Sequence, residues 1–203
     1  MLWLWRCSAP RGEPIPEIWH RQWLSVAFNG GLAEQTAAAG HALVEAHPSA
    51  ENWRMALVAF RQAARTRDAA EIDLLRLMRA AGALRQDAEY QRLAQLLLHA
   101  GFVAEARATM EEGLSRGLLN RAFSPTPEIF AELERATLPQ QPALPGAERP
   151  GTAAVRRAHA LFLAGDRAGA EAGFRTAPSG QADAFYADLA RFWLAWLAQP
   201  ARR

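Results

Sequence analysis

The stretch Asp87-Ala88-Glu89-Tyr90-Gln91-Arg92-Leu93-Ala94-Gln95-Leu96-Leu97-Leu98-His99-Ala100-Gly101, continued by Phe102-Val103-Ala104-Glu105-Ala106-Arg107-Ala108-Thr109-Met110-Glu111-Glu112-Gly113-Leu114, decides the fold. Tyr90, Leu93, Ala94 and Leu97 recur at i, i+3, i+4 and i+7, the spacing that lines one face of an α-helix. Gly101 interrupts the pattern, and Ala106, Met110, Gly113 and Leu114 resume it. Two amphipathic helices joined by a tight turn are predicted. Gly101 takes the left-handed position at the end of the first, where a residue without a Cβ is least strained.

Moved along the chain, the template fits again. From Gly151 it lands on Ala154, Ala158 and Leu161, then Gly165-Asp166, then Ala170, Phe174 and Ala177; Tyr90 to Ala106 and Ala154 to Ala170 are both 16 residues. Upstream, Trp53, Leu57 and Phe60 lead to Ala70 and Leu74, with a turn at Arg65 to Asp68 that is one residue longer. Trp23, Leu24, Ala27, Gly31, Thr36, Leu43 and Pro48 form a weaker copy. The first-helix anchors His20, Trp53, Tyr90 and Ala154 are 33, 37 and 64 residues apart, and the last interval is close to two repeats. Within it Thr126 to Thr137 reads as a lone helix, with Pro127 in its first turn and Ile129, Phe130 and Leu133 on one face. Pro139, Pro142, Pro145 and Pro150 forbid its pair, because each removes a backbone donor and crowds the preceding turn.

The domain organisation expected is an irregular N-terminal segment over 1–16, helical repeats over 17–137, a proline-rich linker and hinge over 138–151, and a last repeat with a capping helix over 152–203. Helices are predicted near 17–28, 32–46, 50–65, 68–80, 87–100, 103–116, 126–137, 152–164, 167–176 and 182–198. Composition agrees with an all-α chain: 45 of the 203 residues are Ala, against 5 Val and 4 Ile.

The residues Tyr90-x-x-Leu93-Ala94-x-x-Leu97, Gly101 and Ala106-x-x-x-Met110-x-x-Gly113, with Ala170-x-x-x-Phe174-x-x-Ala177 after Gly165-Asp166, make the chain resemble the tetratricopeptide repeat over roughly residues 17 to 178. Glu51-Asn52-Trp53 through Gly117-Leu118-Leu119, with the closing Ala190 to Leu197, is similar to proteobacterial repeat-containing proteins of that class. The resemblance implies a right-handed α-solenoid of helical hairpins. It also implies relatives that are longer at the N-terminus and exported.

The function expected is a non-enzymatic protein-interaction scaffold whose first helices line a concave groove. If Trp53, Leu57 and Phe60 face the core, then Arg54, Val58, Arg61 and Gln62 form the adjacent face. Gln91, Gln95, Leu98 and His99 match them in one later repeat, and Val155, His159, Phe162 and Leu163 in another. Arg54, Arg61, Gln62, Gln91, Gln95, His99 and His159 are the predicted partner-binding residues. Guanidiniums fork onto carboxylates and Gln side chains pair with extended backbone, so an acidic or C-terminal peptide segment is the expected ligand. His99 and His159 are expected at the surface, one step off the packed stripe, or in contact with that ligand.

Phe185, Leu189, Phe192, Trp193, Trp196 and Leu197 form an apolar stripe on the last helix, with Asp183, Asp188 and Arg191 off it. It reads as a cap over the open core of the last repeat. The alternative is self-association through Phe192, Trp193 and Trp196, which goes with a second functional reading: a structural component of an envelope or secretion-associated assembly acting by oligomerisation.

Other chemistry is absent from the pattern. All 23 basic residues are Arg and the formal excess is only +2, so nothing marks a nucleic-acid footprint, and without Lys no Schiff base can form. No metalloprotease, nucleophile-elbow or phosphate-loop motif occurs, and Glu111-Glu112, its side chains about 100° apart on a helix, reads as a solvated face. No enzyme activity, cofactor or metal is expected. Cys7 is the single cysteine, which excludes an intrachain disulfide. No run of apolar residues is long enough to span a membrane. The apolar start Met1 to Trp5 is too short for a secretory signal, making a cytoplasmic location the default and a periplasmic one the alternative for an N-terminally shortened chain.

Overall fold

The computed structural model describes residues 14–66, 68–136, 150–177 and 184–199, among which there are ten α-helices and no strand. Cys7, the apolar start, nearly all of the 138–151 stretch, Pro178, Asp183 and Arg202 lie outside the described residues. The chain forms two compact units that divide between Ala64 and Arg65.

The first unit contains α1 (Glu17–Asn29), α2 (Ala33–Ala46) and α3 (Ala50–Ala64), each packed against the other two. Its core is Leu24, Ala27, Ala37, Leu43, Val44, Trp53, Leu57 and Phe60. Asn52 is fully buried and fully engaged. Its Nδ2 donates to Glu17 Oε1 at 2.9 Å and to the His47 carbonyl at 2.8 Å, while its Oδ1 accepts from Arg21 Nε at 2.9 Å. One amide thereby ties the start of α1 and the α2–α3 turn to α3, using both donors and an acceptor.

The second unit contains α4 (Asp68–Ala80), α5 (Asp87–His99), α6 (Val103–Ser115), α7 (Thr126–Arg135), α8 (Pro150–Leu163), α9 (Arg167–Arg175) and α10 (Ala184–Leu197). α5 pairs with α6, α8 pairs with α9, and α7 packs on both α5 and α6. Gly101 and Gly165 close their hairpins at φ +83° each, as the repeat template predicts. The small residues Ala94, Ala106, Ala158 and Ala170 are fully buried where helices meet; a Cβ on Gly173 would lie 2.9 Å from Ala158 Cβ. Local chemistry starts the helices: Glu89 Oε2 accepts from the backbone N–H groups of Gln86 at 3.0 Å and Arg85 at 2.8 Å, and Asp166 Oδ1 accepts from Gly169 N at 2.8 Å.

The proline-rich stretch does not separate the two units. Helices on both sides of it belong to the second unit, because α8 and α10 are bonded back to α4. Every residue of α4 from Glu71 to Met78 is buried, so this helix is enclosed on all sides instead of presenting one polar face.

Candidate functional site

The predicted groove residues fall in different environments. Arg54, Arg61 and Gln62 lie on α3 in the first unit, the two arginines half-buried and Gln62 exposed. In the second unit Gln95 is half-buried and its carbonyl accepts from Nδ1 of the exposed His99 at 2.7 Å. Gln91 and His159 depart from expectation. Gln91 is buried and its Nε2 donates to Thr126 Oγ1 at 3.2 Å, holding α7 against α5. His159 is only 6% exposed, because α10 covers the face that helical spacing alone left open.

The C-terminal stripe packs against its own chain. Of the three residues offered for self-association, Phe192 and Trp193 are buried within the chain and Trp196 is half-buried. Trp193 stacks on Phe174 with ring centroids 5.2 Å apart, and Trp196 meets Phe162 edge-on at 5.4 Å. Arg167 donates to the Leu197 carbonyl at the end of α10.

α4 carries a polar network that spacing did not reveal. Asp73, 3% exposed, accepts at Oδ1 from Arg76 Nη1 at 3.2 Å, and at Oδ2 from Arg156 Nε at 2.9 Å and the Tyr186 hydroxyl at 3.1 Å. Arg76 forks onto Glu105 at 2.9 and 2.6 Å and lies 4.6 Å from the centre of the Phe102 ring. Arg79 donates to Glu112 Oε2 at 2.7 Å, and Tyr90 donates to Glu112 Oε1 at 2.9 Å. Arg92 donates to the buried Glu71 at 2.7 Å. Burial pushes the Asp73 carboxyl above its ordinary value, against the opposing pull of Arg156, Arg76 and Tyr186. Burial, with the Glu112 charge, takes the Tyr90 hydroxyl up to about 12. Burial chiefly, with the Arg76 and Arg79 charges, takes the His159 imidazole down to about 3. The carboxylates of this network are met by guanidiniums, which suits holding helices together. The one sequence signal for it was the apolar residues Ile72, Leu74, Leu75, Leu77 and Met78 distributed all around α4, the mark of a helix buried on every side.

The first unit presents a solvent-open depression of about 400 Å³ between α1 and α3. Leu24, Phe28, Met55 and Ala59 supply its apolar lining, with Arg21, Gln22 and Ser25 beside them. Ile18 and Val26 stand 56% and 64% exposed elsewhere on α1. Arg21 is already bonded to Asn52 and to Glu17, at 2.9 and 2.7 Å. Among the described residues no group of three His, Cys, Asp or Glu is placed to hold a metal ion, and no helix is long and apolar enough to cross a membrane. Compared with protein-family models, curated proteins and solved structures, the chain matches none.

Proposed function

We propose that the protein is a non-enzymatic scaffold of tetratricopeptide-like hairpins, arranged as a right-handed α-solenoid, that binds a peptide or protein partner. The observation that carries this reading is the apolar depression on the first unit, open to solvent and floored by Leu24, Phe28, Met55 and Ala59. A surface of that kind accepts the apolar side of an amphipathic helix or an extended segment, with Gln22 and Ser25 available to its polar groups. Met55, Ala59 and Gln62 follow one another at helical spacing on α3, so Gln62 from the predicted groove continues the same face. Gly31, Gly101 and Gly165 stand at positive φ in the turns of the α1–α2, α5–α6 and α8–α9 pairs, which supports the repeat reading.

Selection from a displayed library of random peptides tests the proposal. Enriched peptides are expected to bind the wild-type chain at least about tenfold more tightly than Met55→Glu or Ser25→Trp variants, a difference of about 1.4 kcal/mol, with melting temperatures unchanged. Failure to enrich any peptide, or binding indifferent to both substitutions, rejects this site. The alternative of an oligomerising structural component is weakened because Phe192 and Trp193 are buried by their own chain.

A further inference from the structure

α10 is seated on the α8–α9 hairpin through a cluster of rings that contains an imidazole. Trp193 of α10 lies almost parallel to Phe174 of α9, with 6° between the planes. Its α8 neighbours are Phe162, at 5.3 Å between centroids, and His159, at 5.6 Å. The charges acting on His159 come from α4, where Arg76 and Arg79 are both cationic. Arg76 is paired with Glu105 of α6 and Asp73 of α4, and Arg79 with Glu112 of α6. Arg156, on α8 itself, is paired with Asp73. From α9 and α10 the aromatic groups of the cluster are Phe174 and Trp193, neither able to balance a positive charge as a carboxylate does. A proton on His159 therefore adds a cation to a site that excludes water and whose nearby carboxylates already serve guanidiniums.

We propose that His159 makes the seating of α10 acid-sensitive: protonation of its imidazole favours a form in which α10 has lifted from α8 and α9, uncovering Phe192 and Trp193. With α10 seated, burial and the two guanidiniums hold the imidazole near 3; once α10 lifts, water returns it toward its ordinary 6.5. Between these values the lifted form binds more protons than the seated one. Seating is therefore strongest above pH 6.5 and weakens as the pH falls below it. From pH 8 to pH 5 the His159 contribution raises the lifted fraction about 30-fold. Asp73, raised by burial and bonded to Tyr186 of α10, takes up a proton in the opposite sense, so the His159 contribution is isolated by comparing the wild type with a variant that keeps Asp73.

The experiment is amide hydrogen exchange on the whole chain at pH 8 and pH 5, corrected for intrinsic rates. It compares the wild type with His159→Gln and with His159→Leu, the second serving if the amide variant does not fold. Protection of the α10 amides of Leu189 to Trp193 is expected to fall about 30-fold more in the wild type than in the neutral variant. The α5 amides of Leu93 and Leu97 should show no such difference between chains. Equal pH dependence in wild type and variant, within threefold, overturns the proposal. So does a nuclear magnetic resonance titration of the wild type in which His159 protonates near its ordinary value while α10 stays protected.

Discussion

Removing the Asp73 carboxylate is expected to destabilise the second unit far more than replacing Asp73 together with Arg156 and Tyr186. Asp73→Ala takes the acceptor from Arg156 Nε and from the Tyr186 hydroxyl, both now within 3.1 Å of Oδ2. Breaking a buried pair from one side costs about 3–5 kcal/mol. The lower end applies here, because Arg76 keeps its two bonds to Glu105. A loss of about 3 kcal/mol lowers the melting temperature of a unit this size by about 6–12 °C. The triple change Asp73→Leu, Arg156→Met and Tyr186→Phe removes the Asp73 and Arg156 charges together, leaves Arg76 on Glu105, and is expected within about 1 kcal/mol of the wild type, or above it. The raised Asp73 carboxyl adds a sign. In the window above its ordinary 3.8 the folded chain holds more protons than the unfolded one, so this group's contribution declines as the pH rises through the folded value. Urea unfolding followed by circular dichroism measures both variants. An Asp73→Ala chain within about 0.5 kcal/mol of wild type, or a triple variant as unstable as the single one, would refute the reasoning.

Ala94→Trp and Ala170→Trp place an indole in fully buried helix contacts, and each is expected to cost about 1–3 kcal/mol or more; retention of the parent melting temperature by both would contradict the repeat register. Gly173→Ala adds a methyl group 2.9 Å from Ala158 Cβ and should destabilise measurably, with the double variant Gly173→Ala/Ala158→Gly recovering part of the loss in thermal melts. Asn52→Ala leaves Arg21 and the His47 carbonyl without their shared partner; a loss of about 1–3 kcal/mol is expected, read from urea unfolding of the first unit. Arg65 is the one non-glycine residue at positive φ among those described, at 47°, so Arg65→Gly should leave melting unchanged or raise stability by about 0.5–1 kcal/mol.

Local periodicity carried most of the secondary structure. All ten helices begin and end within two residues of the bounds predicted from spacing, and the turns at Gly101 and Gly165 adopt the left-handed backbone that their place after a helix implied. Ala94, Ala106, Ala158 and Ala170 were legible as contact residues because close approach of two helices requires a small side chain wherever the apolar stripes meet. The candidate site was less legible. Gln91 and His159 both stand beside the packed stripe of their own hairpin, where spacing predicts exposure. They are buried by α7 and α10, helices whose positions spacing within a hairpin does not encode.

What the sequence by itself determined was the helical class, most of the turns and the pairing of α1 with α2, α5 with α6 and α8 with α9, because these follow from side-chain volume and backbone conformation over a few neighbouring residues. The expected hairpin of α3 with α4 instead falls across the division between the two units. Which polar residues lie inside was decided by tertiary structure. Asp73 meets partners 83 and 113 positions away, Arg156 and Tyr186, and those bonds return the helices beyond the proline-rich stretch to α4. A charge on a helix reads as solvated until another element removes water from it, and here α8 and α10 do so while supplying the hydrogen bonds that make the burial tolerable.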